Sequence, residues 1–454
     1  MTTLHIIGFV LCILAIITLG YFSGKKVSTG SDYISGSGKG GLLLVTGVLF
    51  STNIGGASTI GAAQGAFTGG LYGMWWNVGV FLANFVIGLC LAKHIKSSGC
   101  VTMQQFIRIK YGSKAALTSA VLSSIGVLVS IVTQILSATA LLMSILKVSF
   151  VLATAIATVL MIIYVIFGGA IGAGMVGIAK AGLLFVFCIV GGIIVIRNTS
   201  NIPGGFSNLD PNVYFNLNTG GILNNIGGVI SSIVGLAVSQ VFFTCFSTAK
   251  DVKTGQRACY IASLLILPIS IASVAIGMYM QLTHPEISSK EAFPSFLLMN
   301  LNPFLSGVAL ATLLITVVGS GASVTLGIAT VISKDLYGHF KPNANEKEML
   351  YATRLAIILV LIVAFIFTCL CGNSYISLFT MLSMALRAAV NFVPVMLAFF
   401  SKKIIGEKHC LSSMYFGIVS YLAVYFVSKS TMYALLASII VALVPIMLKN
   451  KKQL

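Results

Sequence analysis

The sequence predicts an all-α polytopic membrane protein of about thirteen transmembrane helices, and three observations carry that expectation. First, 57% of its 454 residues are hydrophobic and 8% are charged, with a mean hydropathy of +1.04, far outside the range of water-soluble domains. Second, runs of about 18 or more apolar residues recur at roughly 3–21, 41–68, 71–95, 115–146, 149–169, 172–196, 223–247, 257–282, 304–333, 351–371, 374–400, 411–428 and 430–448. Third, the charge follows these runs. Of 27 Lys and Arg, 21 fall in alternate loops or the C-terminal tail, four (Lys147, Arg197, Lys290, Lys429) fall in the other loops, and two (Lys180, Arg387) lie inside apolar runs. By the positive-inside rule the basic loops are cytoplasmic, which puts the N-terminus outside, the C-terminus inside and requires an odd helix count. A bacterial-type plasma (inner) membrane is the expected location. The formal charge of +18 then reports topology and contact with anionic lipid, and no nucleic-acid partner is expected.

The first run has no basic n-region and no small-residue cleavage site, so residues 1–40 read as a retained helix followed by a polar connector, KKVSTGSDYISGSGKG. Next comes the least helix-like crossing in the chain, FSTNIGGASTIGAAQGAFTGG from Phe50 to Gly70. Gly55 and Gly56 allow the backbone to leave helical geometry, and the N–H and C=O groups so freed must meet protein, water or a solute, because lipid offers no partner. Broken transporter helices make ion and solute sites near the bilayer midplane in this way. The competing reading is close helix packing through small residues, as in the Gly65/Gly69 pair.

Tyr72, Trp75 and Trp76 follow, placed either as interfacial anchors or as walls of an outer mouth. The amphipathic piece MQQFIRIKYG, within Lys93 to Lys114, is expected to lie on the membrane surface. In the next run Ser130, Gln134 and Ser137 share one helical face, either lining a cavity or bonding to a neighbouring helix. Glycines in IFGGAIGAGMVGIAK suit a close turn, after which Lys180 stands about nine residues, some 13 Å, from its helix end. A lysine so deep is costly, which favours a functional role over snorkelling.

The Asn-, Gly- and Pro-rich segment 197–222 is the longest external loop, and it divides ten helices into 41–196 and 223–400. Five helices per half force opposite orientations, the arrangement of an inverted repeat, with two further helices and a basic tail in 401–454. The second half opens with Asn224-Asn225, Gly227-Gly228, Ser231-Ser232, Ser239 and Gln240, a polar interior comparable to the first. Thr316, Ser320, Ser323 and Gly327 form a single stripe whose hydroxyls, facing the broken Ser51–Ile54 backbone, offer oxygen ligands to a hard cation such as Na+. Arg387 and Asn391 lie one turn apart; Arg387 either clamps a solute carboxylate or snorkels.

All nine Asp and Glu lie in loops or helix ends, the five His likewise, and the nine Cys are scattered without CxxC spacing. No cofactor, no catalytic pairing and no metal other than sodium is expected, which argues against an intramembrane enzyme.

These residues resemble the sodium/solute symporters, the family of proline, pantothenate, sialic acid and sodium–glucose carriers. The resemblance rests on Asp32-Tyr33-Ile34-Ser35-Gly36, Asn53-Ile54 with its glycine-rich continuation, Gln105-Phe106 through Lys110-Tyr111-Gly112, Ile163-Tyr164 with Gly168-Gly169, Thr248-Ala249-Lys250-Asp251 and Ser333-Lys334-Asp335-Leu336-Tyr337. It implies a leucine-transporter-type fold with broken first and sixth core helices. It also implies a sodium site of carbonyls at Ser51, Ile54 and Thr316 with side chains at Gly319 and Ser320. Gly319 departs from that pattern by lacking a hydroxyl, which leaves Ser323 or water to compensate. Lys180 is the second departure, placing a positive charge where many relatives keep an amide, with Gly177 where they have an acid. The function so implied is coupled import of a small organic solute, with Na+ as the coupling ion; a proton-coupled or Na+-independent carrier in which Lys180 replaces the ion is the alternative, and a solute sensor without flux is the third. Asn53, Gly56, Ala57, Ser58, Thr59, Gln134, Gln240 and Arg387 form the candidate solute pocket, small and neutral to cationic, which favours a carboxylate-bearing solute.

Overall fold

Apolar segments surrounded by lipid satisfy their backbone only as helices, and helices are what the chain forms. A computed structural model describes residues 2–24, 40–168, 175–330, 332, 333, 337, 341, 345–372, 374–401 and 406–451. The principal helices are α1 (Thr3–Gly24), α2 (Leu42–Asn53), α3 (Ala62–Gly69), α4 (Trp75–Cys90), α5 (Met103–Tyr111), α6 (Ser113–Leu146), α7 (Phe150–Gly168), α8 (Met175–Ser200) and α9 (Ile222–Ala237). They continue with α10 (Gln240–Thr248), α11 (Val252–Thr283), α12 (Ala292–Asn300), α13 (Pro303–Thr330), α14 (Glu346–Leu370), α15 (Ile376–Phe400), α16 (Glu407–Ser428) and α17 (Thr431–Lys451). The Asp32–Gly36 stretch, the Gly169–Gly174 turn and Lys334–Leu336 lie outside the described residues.

Among the described residues, eight helices are long and apolar enough to cross a membrane, or nine if the bent pair α9 and α10 is one span. Four shorter apolar helices, Thr3–Ile16, Leu42–Asn53, Phe150–Ile166 and Thr431–Met447, stand beside them. The apolar stretch Ala57–Cys90 is not one rod. At Gly70 the backbone takes φ +58°, which glycine tolerates, and the chain doubles back until Gly73 packs on the Ala62 carbonyl with no room for a Cβ.

Two crossings are interrupted. α2 stops at Asn53 and its continuation begins only at Ala57, and α9 and α10 meet at an angle of 48° across Val238-Ser239. The far ends of the two half-helices are tied together: Gly40, before α2, exchanges backbone hydrogen bonds with Thr248 and Lys250, at the end of α10, at 2.8 and 3.1 Å. Lys96 donates to the Ala249 carbonyl beside them. The amphipathic helix α5 buries Met103, Phe106, Ile107 and Tyr111, and the Tyr111 hydroxyl anchors it to the Pro394 carbonyl of α15 at 2.7 Å.

The polar opening of the second half is mostly packing. Gly227 abuts Met432, Gly228 abuts Met381 and Ser232 abuts Gly79, while the Ser231 and Ser232 hydroxyls donate back to the Gly228 carbonyl at 2.8 Å. Glycine also docks α1 on α13, with Gly8 against the Phe304 carbonyl and Gly307 against the His5 carbonyl. A Cβ at Gly307 collides with that backbone, so Gly307→Val is expected to cost about 1–3 kcal/mol by overpacking, read as a lower Tm of the purified protein, with α1 becoming accessible to protease.

Candidate functional site

The site is built on the interruption between α2 and α3. Ile54 leaves the helix (φ −95°, ψ 119°), Gly55 and Gly56 follow, and a turn of wide π geometry runs from Ala57 to Gly61, with the Gly61 N–H on the Gly56 carbonyl at 2.8 Å. Two hydroxyls repair part of the freed backbone: Ser58 donates to the Asn53 carbonyl and Thr59 to the Gly55 carbonyl, both at 3.1 Å. The carbonyls of Ser51, Thr52 and Ile54 receive no hydrogen bond from the described residues. Those of the buried Ser51 and Ile54 are oxygens away from bulk water, ligands in waiting.

Three predicted residues converge on this break. A Cβ on Gly55 would sit 3.6 Å from Gln134 Nε2 and 3.9 Å from Ser320 Oγ, so α6 and α13 both present polar groups to that glycine. Gly56 lies directly against Ser137. Thr316 and Ser323 of the α13 stripe donate their hydroxyl protons to the Thr312 and Gly319 carbonyls of their own helix, which leaves their oxygen lone pairs open, and Ser320 is the hydroxyl of the stripe that lies near Gly55.

Side chains of α3 and α4 support the break, Asn77, Asn84 and Gln64 among them carrying no signal in the sequence. Trp76 Nε1 donates to Ser58 Oγ at 3.2 Å and Asn77 Nδ2 to the Ser58 carbonyl at 3.0 Å, so α4 fixes the π turn. Asn53 Nδ2 donates to Asn84 at 2.9 Å. Gln64 accepts from the Ile376 N–H at 3.1 Å and donates to the Ser374 carbonyl, holding α15 across the continuation of the broken crossing. Beyond Gln64 lies a cavity of about 620 Å³ bordered by Tyr72, Asn224, Tyr375, Tyr425 and Lys429. Tyr72 and Tyr375 meet there edge to face. An aromatic beside a predicted break is the signal that pointed to this wall; nothing in the sequence distinguished Asn77 or Gln64.

Lys180 reaches the same junction. α8 places Gly177 against Ser51, where a Cβ would sit 2.9 Å from Ser51 Oγ, and one turn on it buries Lys180. The Lys180 Nζ and the Tyr164 hydroxyl are 3.4 and 3.5 Å from the position a Cβ on Gly319 would occupy. No Asp or Glu is buried among the described residues, so the ammonium has no carboxylate beside it.

Comparison with known proteins agrees with this architecture. The model of the sodium:solute symporter family matches residues 33–417. The chain belongs to the sodium:solute symporter family. A curated relative within reach is the uncharacterized symporter YwcA of Bacillus subtilis (strain 168), 27% identical over 415 residues, covering 84% of this chain and 78% of that one. Among solved structures the fold is similar to a Na+-coupled sialic acid symporter in its substrate-bound outward-open state, with a TM-score of 0.76 at 14% identity over 98% and 96% of the two chains. It is also similar to the inward-facing conformation of Mhp1, with a TM-score of 0.56 at 12% identity over 91% of each. These are transporters rather than enzymes.

For this member of the sodium:solute symporter family, the cation ligands implied by resemblance fit in part. Among the described residues the Ser51 and Ile54 carbonyls receive no hydrogen bond, and the Ser320 hydroxyl lies beside Gly55, next in the chain to Ile54. Gly319 does not fit, since an ammonium stands where a ligand hydroxyl is implied. Of the candidate solute residues, Asn53, Gly56, Ala57, Ser58, Thr59 and Gln134 gather at the break. Gln240 does not. It opens α10, exposed, with Oε1 on the Met103 N–H at 3.1 Å and Nε2 on the Val101 carbonyl and Thr244 Oγ1, because a residue just past the second interruption faces the surface connector. Arg387 lies farther along α15, its Cγ against Gly126 of α6.

Proposed function

We propose that this symporter-family chain imports a small organic solute across the plasma membrane, coupled to a cation gradient, by alternating access. The single observation that supports it best is the helix break at Ile54–Gly56, with the Ser51 and Ile54 carbonyls unbonded by the described residues and Gln134 and Ser320 of two other helices beside Gly55. In this reading the nine spans, with the bent pair counted as one, and the four shorter apolar helices amount to thirteen crossings, with α2–α3 one broken crossing and α4 the next. The halves 41–196 and 223–400 are the two repeats that move against each other, and the ends of the chain lie on opposite sides, the C-terminus cytoplasmic.

Na+ is the coupling ion that the family suggests. A second reading is favoured by one geometry, the Lys180 ammonium beside Gly319: the lysine stands in for the ion, and its protonation replaces Na+ binding. Uptake into proteoliposomes under separately imposed Na+ and H+ gradients distinguishes the two. Accumulation driven by Na+ alone and retained in Lys180→Gln, whatever the shift in its Na+ midpoint, supports the first and ends the second; accumulation driven by H+ and lost in Lys180→Gln does the reverse. Specific binding with no accumulation under either gradient overturns transport altogether and leaves a sensor.

A further inference from the structure

Among the buried polar side chains left without a partner by the described residues are Arg387 of α15 and Gln134 of α6, on two helices packed against each other. On Arg387 the Nε and Nη2 groups are buried without a partner. Those two N–H groups form one edge of the guanidinium, the edge that receives a carboxylate in a two-pronged hydrogen bond. The polar neighbours one turn to either side are already committed: Ser383 Oγ donates to the Gly126 carbonyl at 2.6 Å, and Asn391 is held by Ser119 and Ser123. With no buried Asp or Glu among the described residues, the fork has no protein carboxylate to meet. A dry, unpaired cation is expensive unless an anion visits it.

Its placement says where the anion comes from. Arg387 Cγ lies 2.9 Å from where a Cβ on Gly126 would be, so the absent side chain at Gly126 is what lets the arginine stem pass along α6. Gly126, Ser130, Gln134 and Ser137 share that face, and the last two meet the break at Gly55 and Gly56. Gly126 and Gln134 are about 12 Å apart along the helix. Helical side chains lean toward their own N-terminus, and the N-terminal residues of α15, Ile376 and Ser377, are the ones packed on Gly61 of the π turn. By that rule the Arg387 stem is directed to the end of α15 that packs on the break, rather than snorkelling to the other end. At the top of the same stripe Gln134 Oε1 is also buried with no donor.

We infer that Arg387 is a specificity-determining residue that receives the carboxylate of the solute, held between α6 and α15 on the approach to the break. Gln134 Oε1 accepts a hydrogen bond from a hydroxyl, amine or amide N–H elsewhere on the same molecule. This rests on the transporter reading and narrows its substrate class to small carboxylic acids carrying a hydrogen-bond donor.

The test uses the full-length protein in detergent with glycolate, lactate, alanine and proline as probes, each beside its primary amide, followed by thermal shift and titration calorimetry. At least one acid is expected to bind ten or more times tighter than its amide. Arg387→Gln is expected to erase that preference by weakening the acid at least tenfold while leaving the amide unchanged. Arg387→Lys keeps the charge and guards against a variant that only misfolds; it is expected to weaken the acid about five- to tenfold, because a point charge replaces the fork. Equal binding of acids and amides by the wild type, no acid-selective binding across the panel, or undiminished acid binding by a folded Arg387→Gln each overturns the inference. Counterflow in proteoliposomes separates this from the reading beneath it. Arg387-dependent acid binding without counterflow leaves the carboxylate site and removes transport, whereas counterflow of a neutral solute untouched by Arg387→Gln keeps transport and removes the site.

Discussion

Replacing Lys180 with Gln is expected to raise the apparent affinity for Na+ ten- to a hundredfold, read as the midpoint of a Na+ titration of thermal stability. The reason is electrostatic. The Lys180 Nζ stands beside Gly319 on the junction that also holds the free Ser51 and Ile54 carbonyls. Two like charges about 4 Å apart repel by about 4 kcal/mol at an effective dielectric near 20. Each 1.4 kcal/mol is a factor of ten in affinity. Movement of the lysine tip and entry of water relieve part of that repulsion, which brings the expected gain to ten- to a hundredfold. Adding Gly319→Ser to the variant restores the hydroxyl that the family resemblance implies, in space the ammonium has vacated, and is expected to sharpen the Na+ response further. Identical Na+ midpoints in the wild type and both variants remove Lys180 from the ion site. The prediction holds under either coupling scheme, since a lysine that replaces Na+ and a lysine that only opposes it both repel the ion.

The course of the backbone was legible because hydrophobic length and glycine are local properties. Gly55-Gly56 marked the interruption between α2 and α3, and period-3.6 spacing was enough to put Ser320 and Gln134 on faces that meet it. Thr316 and Ser323 on the same stripe donate to the carbonyl four residues back, as hydroxyls within helices readily do. Gln134 and Gln240 are chemically identical and both sit in polar stretches, yet one faces the break and the other the 101–103 connector. What divides them is the 48° bend at Val238-Ser239, which turns the start of α10 away. Lys180 was visible as an anomaly of depth, but its neighbour Gly319 is 139 residues away and only packing of α8 on α13 joins them. The Trp76, Asn77 and Gln64 supports belong to the same category, since their partners are settled by how α4 and α15 close on the π turn.

Adjacent glycines at the break should respond oppositely to the same methyl group. A Cβ on Gly56 collides with Ser137 Oγ and Cβ, with Val317 closing the other side at 3.4 Å. Gly56→Ala is thus expected to cost about 1–3 kcal/mol or more by overpacking, seen as a lower Tm and poor recovery of folded protein, and Ser137→Gly in the same chain should restore both. A Cβ on Gly55 meets nothing closer than Gln134 Nε2 at 3.6 Å, and Gly55 is not in the left-handed region that only glycine enters readily. Gly55→Ala should therefore fold with a Tm within a few degrees of wild type, yet lose at least tenfold in solute or cation binding, because its methyl fills the space between Gln134 and Ser320. The pair separates the two meanings that a glycine-rich membrane crossing can have. If glycine serves packing alone, only Gly56→Ala matters and Gly55→Ala transports normally. If the open main chain is there to hold cargo, the harmless-looking methyl at Gly55 abolishes function in a protein that is otherwise intact.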